Sequence, residues 1–224
     1  GTLETMFSMS ELDLGDDLTN PFLLNPKDSF SDQQLLQSSD RVGLAKKSEI
    51  NAWSGPFIMA TANTRVVRRS EALLALRQES YGPNFTYQEH AFHKSWFSAF
   101  RSLVITGISV LVLLSPLKRL VKPFLPKPGE GPSEFVQENG WFDCKFIVET
   151  EDGIKSVFNM NGKGDPGYKV TSKLVSECAL CLIEEIDNLP GGSEYGGVLT
   201  CASGLGNPLI ARLRKAGINF TGPL

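Results

Sequence analysis

Residues 103–114 form a run of twelve side chains without a charge, and a chain carrying such a run must bury it or anchor it in something apolar. The apolar stretch begins earlier, at Trp96, if Arg101 is allowed as its one ionised member. As a helix the uncharged core rises only about 18 Å at ~1.5 Å per residue. Bilayer hydrocarbon is ~30 Å thick, so the run by itself falls short of spanning it. Beyond Ser115-Pro116 comes Leu117-Lys118-Arg119-Leu120-Val121-Lys122-Pro123-Phe124-Leu125, a basic amphipathic stretch with aromatic and leucine anchors. That order, apolar then cationic, is the pattern of a segment lying in the headgroup region of an anionic lipid surface. Three readings stay open for 96–125: an interfacial or re-entrant membrane segment, a spanning helix reaching back to Trp96, and a buried core helix. On the membrane readings the lipid-facing set is Trp96, Phe97, Phe100, Leu103, Val104, Ile105, Ile108, Val110, Leu111, Val112, Leu113 and Leu114, with Lys118, Arg119 and Lys122 toward the headgroups.

The net charge of −3 conceals how uneven the chain is. Residues 1–40 hold eight acids and one base, Lys27, whereas 94–127 hold six bases and no acid. A mildly acidic sum excludes a broadly basic nucleic-acid binder, so nucleic acid is not an expected partner. With 41% hydrophobic and 21% charged residues the chain is neither collagenous nor a disordered tail. At 224 residues it can bury a real core in one large domain or two small ones. It opens on Gly1 and reaches its first Met at position 6, as expected for the later part of a longer protein.

The rest of the chain reads as short elements. Residues 1–55, acidic and rich in turn pairs such as Asn20-Pro21 and Asn25-Pro26, read as an irregular connection with one short helix from Ser31 or Asp32 to Ser38. After the apolar run 56–62, Asn63 is placed to cap a helix reaching about Gln78. Residues 85–90 alternate and read as a strand, and 126–132 as a linker. Asp152-Gly153 between two β-patterned runs, Trp141 to Thr150 and Ile154 to Met160, predicts a hairpin. Tyr168 to Ile186 predicts a helix buried on two sides, 197–200 a short strand, and Asn207-Pro208 the start of a last helix closed by Gly217.

Few residues offer chemistry. Arg65, Arg68 and Arg69 share one helix face, where like charges repel. Acids from 1–40 could offset them, or a bound anion could, since Arg pairs with phosphate or carboxylate through two parallel bonds. On the second reading, replacing Arg68 or Arg69 by Ala lowers ligand affinity. Cys178-Ala-Leu-Cys181 falls inside the helical pattern and reads as buried apolar surface rather than a zinc half-site. Gly204-Leu205-Gly206 stands where a strand-to-helix phosphate turn would, but no third glycine follows. His90 and His93 would point to opposite faces of a strand, so no metal site is expected.

Taken together, Trp53-Ser54-Gly55-Pro56-Phe57-Ile58-Met59, Asn63-Thr64-Arg65-Val66-Val67-Arg68-Arg69-Ser70, Tyr81-Gly82 with Phe85-Thr86-Tyr87, and Glu138-Asn139-Gly140-Trp141-Phe142 resemble one family. So do Gly167-Tyr168, Gly197-Val198-Leu199-Thr200, the stretch from Leu213 to Phe220, and above all the run from Leu125 through Pro126-Lys127-Pro128-Gly129-Glu130-Gly131-Pro132. The chain is similar to the C-terminal half of saccharopine dehydrogenase-like oxidoreductases, the branch that includes bacterial trans-acting enoyl reductases. The resemblance implies an α+β fold with a mainly antiparallel sheet. Residues 1–55 would be a connecting segment, 56–165 a substrate and dimerisation domain, and 166–224 helices with a short strand that return to a Rossmann domain preceding Gly1. It implies NADP or NAD bound by that N-terminal domain and none by this chain alone, a lipid-like substrate in glycolipid or lipid metabolism, and a possible homodimer. It also implies attachment to a membrane or lipid-droplet surface, including a mitochondrial or cytoplasmic membrane face. No catalytic residue carries over. A second function stays open: a lipid-surface adaptor that keeps the fold without turnover.

Overall fold

A computed structural model describes residues 20–27, 29–39, 43–121 and 130–222. The fold is α+β, with two separate three-stranded antiparallel sheets, and the chain divides into two compact units at 130/131.

The first unit holds helix α1 (Asp32–Gln37), strands β1 (Ala45–Lys47), β2 (Ala52–Gly55) and β3 (Ala91–His93), and helices α2 (Ala60–Ala75), α3 (Trp96–Leu114) and α4 (Lys118–Val121). Helix α1 starts where expected. Ser31 caps it and Gln34 bonds back to the Ser31 amide, closing a reciprocal capping box. The expectation of an irregular 1–55 is corrected for 45–55. Ala45 pairs with Ser54 and Lys47 with Ala52, and β2 also pairs with β3. Strands of three and four residues are too short to show alternation, which is why the sequence conceals them.

Helix α2 begins earlier than expected. Its first residue is Ala60 and the cap position before it is Met59, which makes no side-chain cap, and Asn63 instead donates to Glu89 at 2.9 Å. The expected strand at 85–90 is absent. Side chains take the backbone carbonyls a ladder would use: Gln34 reaches the Phe85 oxygen at 3.3 Å and Arg68 the Tyr87 oxygen at 2.9 Å. Pairing resumes at 91–93, where β2 offers a partner.

The second unit holds α5 (Glu134–Asn139), β4 (Trp141–Glu149), β5 (Lys155–Lys163), α6 (Lys169–Glu184), α7 (Cys201–Gly204), α8 (Gly206–Lys215) and β6 (Asn219–Thr221). The predicted hairpin forms, with Glu149 opposite Lys155 and the turn around Gly153 at φ +83°. It runs three residues past Met160 because β6 pairs with Asn159 to Asn161 and holds a segment that Asn and Gly would not extend alone. Its inner face, with Phe142, Met160 and Phe220, packs on Val170, Cys181, Leu189, Leu205, Leu209, Leu213 and Ile218. The hairpin thus shares its core with the C-terminal helices, whereas the sequence grouped it with 56–130.

Three further expectations are corrected here. Helix α6 is buried on one side only, since Leu182 and Ile183 lie exposed. Residues 197–200 form no strand: Gly197 has φ +130°, Val198 is exposed, and Thr200 caps α7. Helix α8 starts at Gly206, so Asn207 is not its cap and Pro208 is the third helical residue and not the first, still within the first turn, where its missing N–H costs nothing.

Candidate functional site

Helix α3 is the largest unusual surface of the first unit. Ser95 caps it and Ser98 bonds back, so the expected limits at Trp96 and Leu114 hold. It packs on β2 and β3. The side chains on its less exposed side are Ser98, Ala99, Ser102, Leu103, Thr106 and Ser109, and Ala99 is fully buried. The large apolar side chains point outward: Phe97 is 70% exposed and Leu111 69%. Phe97, Phe100, Val104, Ile108 and Leu111 follow one another at steps of three or four and share one stripe. Trp96 stacks on Phe100 with ring centres 5.1 Å apart, and Ile105 and Val110 are also exposed. Leu103 and Val112 are half-buried.

This corrects the buried-core reading of the segment. Among the described residues no helix is long and apolar enough to cross a membrane, which sets the spanning reading aside. Lys122 and the residues 123–129 lie outside the described residues, as do the side chains of Leu113, Leu114, Lys118 and Arg119.

The arginine face of α2 turns inward instead. Arg68 is 2% exposed. Its guanidinium donates to the Pro21 and Ser38 carbonyls at 3.0 Å each and to Tyr87 at 2.9 Å, and it sits 5.5 Å from the centre of the Phe22 ring. Arg69 donates to the Leu24 carbonyl. Arg65 is buried and reaches Thr64 Oγ1 at 3.3 Å. Two of the three thus clamp the strap formed by residues 20–39, whose Phe22 and Phe30 stack at 4.4 Å. Backbone carbonyls at Pro21, Ser38, Tyr87 and Leu24 accept from Arg68 and Arg69. The buried carboxylate of Glu71, on the same helix, accepts from Ser80 and from the Tyr81 amide. Burial, with Glu71 nearby, raises the Tyr81 phenol above its ordinary value.

His90 and His93 are not brought together with other ligands: among the described residues no group of three or more His, Cys, Asp or Glu could hold a metal ion. Cys181 is buried, as the sequence suggested. Cys178 packs at the edge of the same core, and burial, with Cys201 beside it, pushes its thiol up to about 11.

The glycine pair also loses its expected context. Gly204 ends α7 and Gly206 opens α8, so they lie between two helices. A Cβ on Gly204 would meet Leu199 at 3.2 Å and one on Gly206 would meet Pro190 at 2.7 Å. Both glycines admit close packing, and the turn follows a helix instead of a strand. The described residues therefore do not fit a dinucleotide at this turn.

Comparison with known proteins relates the chain to bacterial reductases. It is 35% identical over 238 aligned positions to a Mycobacterium tuberculosis protein named "Putative trans-acting enoyl reductase", covering 98% of this chain and 55% of that one. It is 34% identical over 174 positions to the trans-acting enoyl reductase of Mycobacterium bovis, covering 74% of this chain and 40% of the relative. The Mycobacterium ulcerans trans-acting enoyl reductase is 33% identical over the same length. The chain thus spans about half the length of the curated relatives it matches. No family model and no solved structure matches it.

Proposed function

We propose that this chain is the substrate-side part of a saccharopine dehydrogenase-like reductase that works at a lipid surface and uses NADPH or NADH to reduce a lipid-linked enoyl group. The observation that carries the reading is the similarity, over 98% of the chain, to a protein named as an enoyl reductase. The nicotinamide would supply a hydride to one carbon of the double bond, and a proton from solvent would complete the saturation at the other. The turn at Gly204 and Gly206 joins two helices and packs closely on Leu199 and Pro190, so the nicotinamide would be held elsewhere in the full-length protein. The outward apolar stripe of α3 supports the lipid-surface part. It offers aromatic and branched side chains to acyl chains, and 94–127 hold no acid to repel anionic headgroups.

The test uses the full-length protein with NADPH or NADH and a medium-chain trans-2-enoyl thioester, presented with and without anionic vesicles. The expected result is cofactor oxidation matched one for one by saturated thioester. Vesicle binding without cofactor binding or turnover would replace the reductase by the adaptor reading.

A further inference from the structure

The sheet of the second unit has two unlike faces. One packs on the core through Phe142, Met160 and Phe220. The register puts Trp141 opposite Lys163, Asp143 opposite Asn161, and Asn161 opposite Asn219 on the other face. There the chain forms an open cleft of about 590 Å³, lined among others by Trp141, Asn159, Asn161, Lys163, Lys173 and Asn219. That volume suits a small-molecule site. None of these residues belongs to the surfaces discussed for reduction or lipid contact.

We propose that this cleft binds a polyhydroxylated ligand of sugar size, holding neighbouring hydroxyls on the carboxamides of Asn159, Asn161 and Asn219 with its C–H face against Trp141. Hydrogen-bond supply carries the argument. Asn159 Oδ1 accepts no hydrogen bond within the protein and lies out of reach of solvent, so a ligand hydroxyl pairs with it once the amide turns toward the cleft. A buried acceptor calls for a donor. Asn219 Nδ2 donates to Asn161 Oδ1 at 3.1 Å, which fixes both amides. That leaves the Asn161 amino group as a donor and the Asn219 carbonyl as an acceptor. The cleft therefore offers both kinds of group side by side. A hydroxyl both donates and accepts, so a pair of neighbouring hydroxyls matches this set.

Other ligand classes match less well. An anion brings acceptors only, leaves Asn159 Oδ1 unpaired, and meets the carboxylate of Asp143 on the same face, 3.6 Å from Lys145. An apolar ligand would strip water from three amides and return nothing. Lys173, at the end of the cleft, gives one of its three N–H donors to the Ala216 carbonyl at 2.8 Å. Trp141 is 71% exposed, a flat ring beside polar groups. That combination suits the mixed surface of a pyranose.

The experiment follows the three tryptophan indole signals of the ¹⁵N-labelled 224-residue chain by NMR, with Trp141 identified through Trp141→Phe. Glucose, galactose, mannose, a disaccharide and inorganic phosphate are titrated in turn. The expected result is a saturable shift of the Trp141 signal with at least one sugar. It weakens at least tenfold in Asn159→Ala and in the near-isosteric Asn161→Asp, and stays unchanged in Glu149→Ala at the far end of the hairpin. Three results overturn the proposal: no saturable response to any sugar, a response untouched by both asparagine changes, or saturation by phosphate alone.

Discussion

Replacing Arg68 by alanine is the sharpest test of how the first unit holds together. The guanidinium is 2% exposed and makes three hydrogen bonds of 2.9 to 3.0 Å to carbonyls at Pro21, Ser38 and Tyr87. Those residues belong to the two ends of the strap and to the segment 85–90, so one side chain joins three stretches of backbone to α2. Each such bond contributes on the order of 1–1.5 kcal/mol net, at the lower end for a charged donor because water can enter the vacated space. The contact with Phe22 adds about 0.5–1 kcal/mol. Arg68→Ala should therefore cost about 3.5–5.5 kcal/mol, a large share of the ~5–15 kcal/mol that holds a domain folded. For a unit of this size the melting temperature should fall by more than ~10 °C. Arg68→Lys, with one ammonium for three carbonyls, should fall between the variant and the parent. The assay is thermal unfolding followed by circular dichroism, with limited trypsin digestion read at Lys27 and Lys46. Arg77→Ala is the control: it breaks a surface pair with Glu79 at 2.8 Å that contributes about 0–1 kcal/mol. If Arg68→Ala melts within ~3 °C of the parent and leaves Lys27 as resistant as before, the clamp is not what holds the strap.

Three further outcomes follow from particular contacts. The double change Phe97→Asp, Ile108→Asp places charge on the exposed stripe of α3, so sedimentation with anionic vesicles should drop at least tenfold while the melting temperature stays within ~3 °C. Equal sedimentation of variant and parent counts against the lipid contact. Gly162→Ala should destabilise the second unit by about 1–3 kcal/mol in urea unfolding, because its Cβ would lie 2.7 Å from the Phe142 ring and 3.2 Å from Ile218. A neutral result would mean that the sheet gives way there without cost. Thiol labelling at pH 8 should modify exposed Cys144 and Cys201 first and leave Cys178 far behind. With its thiol near 11, only about a thousandth of Cys178 is thiolate at that pH. Equal labelling of Cys178 and Cys144, measured by mass spectrometry, would contradict the burial that raises it.

What the sequence made legible was what local chemistry decides. Ser31 announces a helix start because Gln34, three residues on, can close the cap. Asp152-Gly153 announces the hairpin because the turn needs a residue free to take φ +83°. The misses have distant causes. Strand β6 and the last residues of β5 exist because they pair with each other, and neither Asn161 nor Gly162 favours a strand alone. The pattern at 85–90 was alternating, yet Arg68 and Gln34 claim its carbonyls from elsewhere in the chain. The arginine trio was visible as a cluster. Its use was not, because the carbonyls of Pro21, Ser38 and Leu24 carry no letter in the sequence. The cleft beside Trp141 was hidden for the same reason: it depends on Asn159, Asn161 and Asn219 meeting across a strand pairing that spans 58 positions.

The uncharged run at 103–114 was legible as something to be covered, and lengths in the structure decide what can cover it. The nineteen residues of α3 extend about 28 Å at ~1.5 Å per residue. The strands it packs on have three and four residues, which extend at most about 13 Å at ~3.3 Å each. A sheet that short shields about half of such a helix. The fully buried side chain, Ala99, lies in the first turn, while Ile108 and Leu111 lie beyond it and are exposed. Turning the helix about its axis would not help. It would bring the bulky stripe against strands now fitted to Ala99 and Ser98. Among the described residues nothing covers the stripe, and a lipid surface would satisfy it without asking for a matching shape. The double aspartate change separates that case from a protein partner. A lipid surface loses hold in proportion to the apolar area and charge altered, so Phe97→Asp and Ile108→Asp alone should each weaken vesicle binding by a similar factor. A shaped protein groove would respond far more to one of the two positions than to the other.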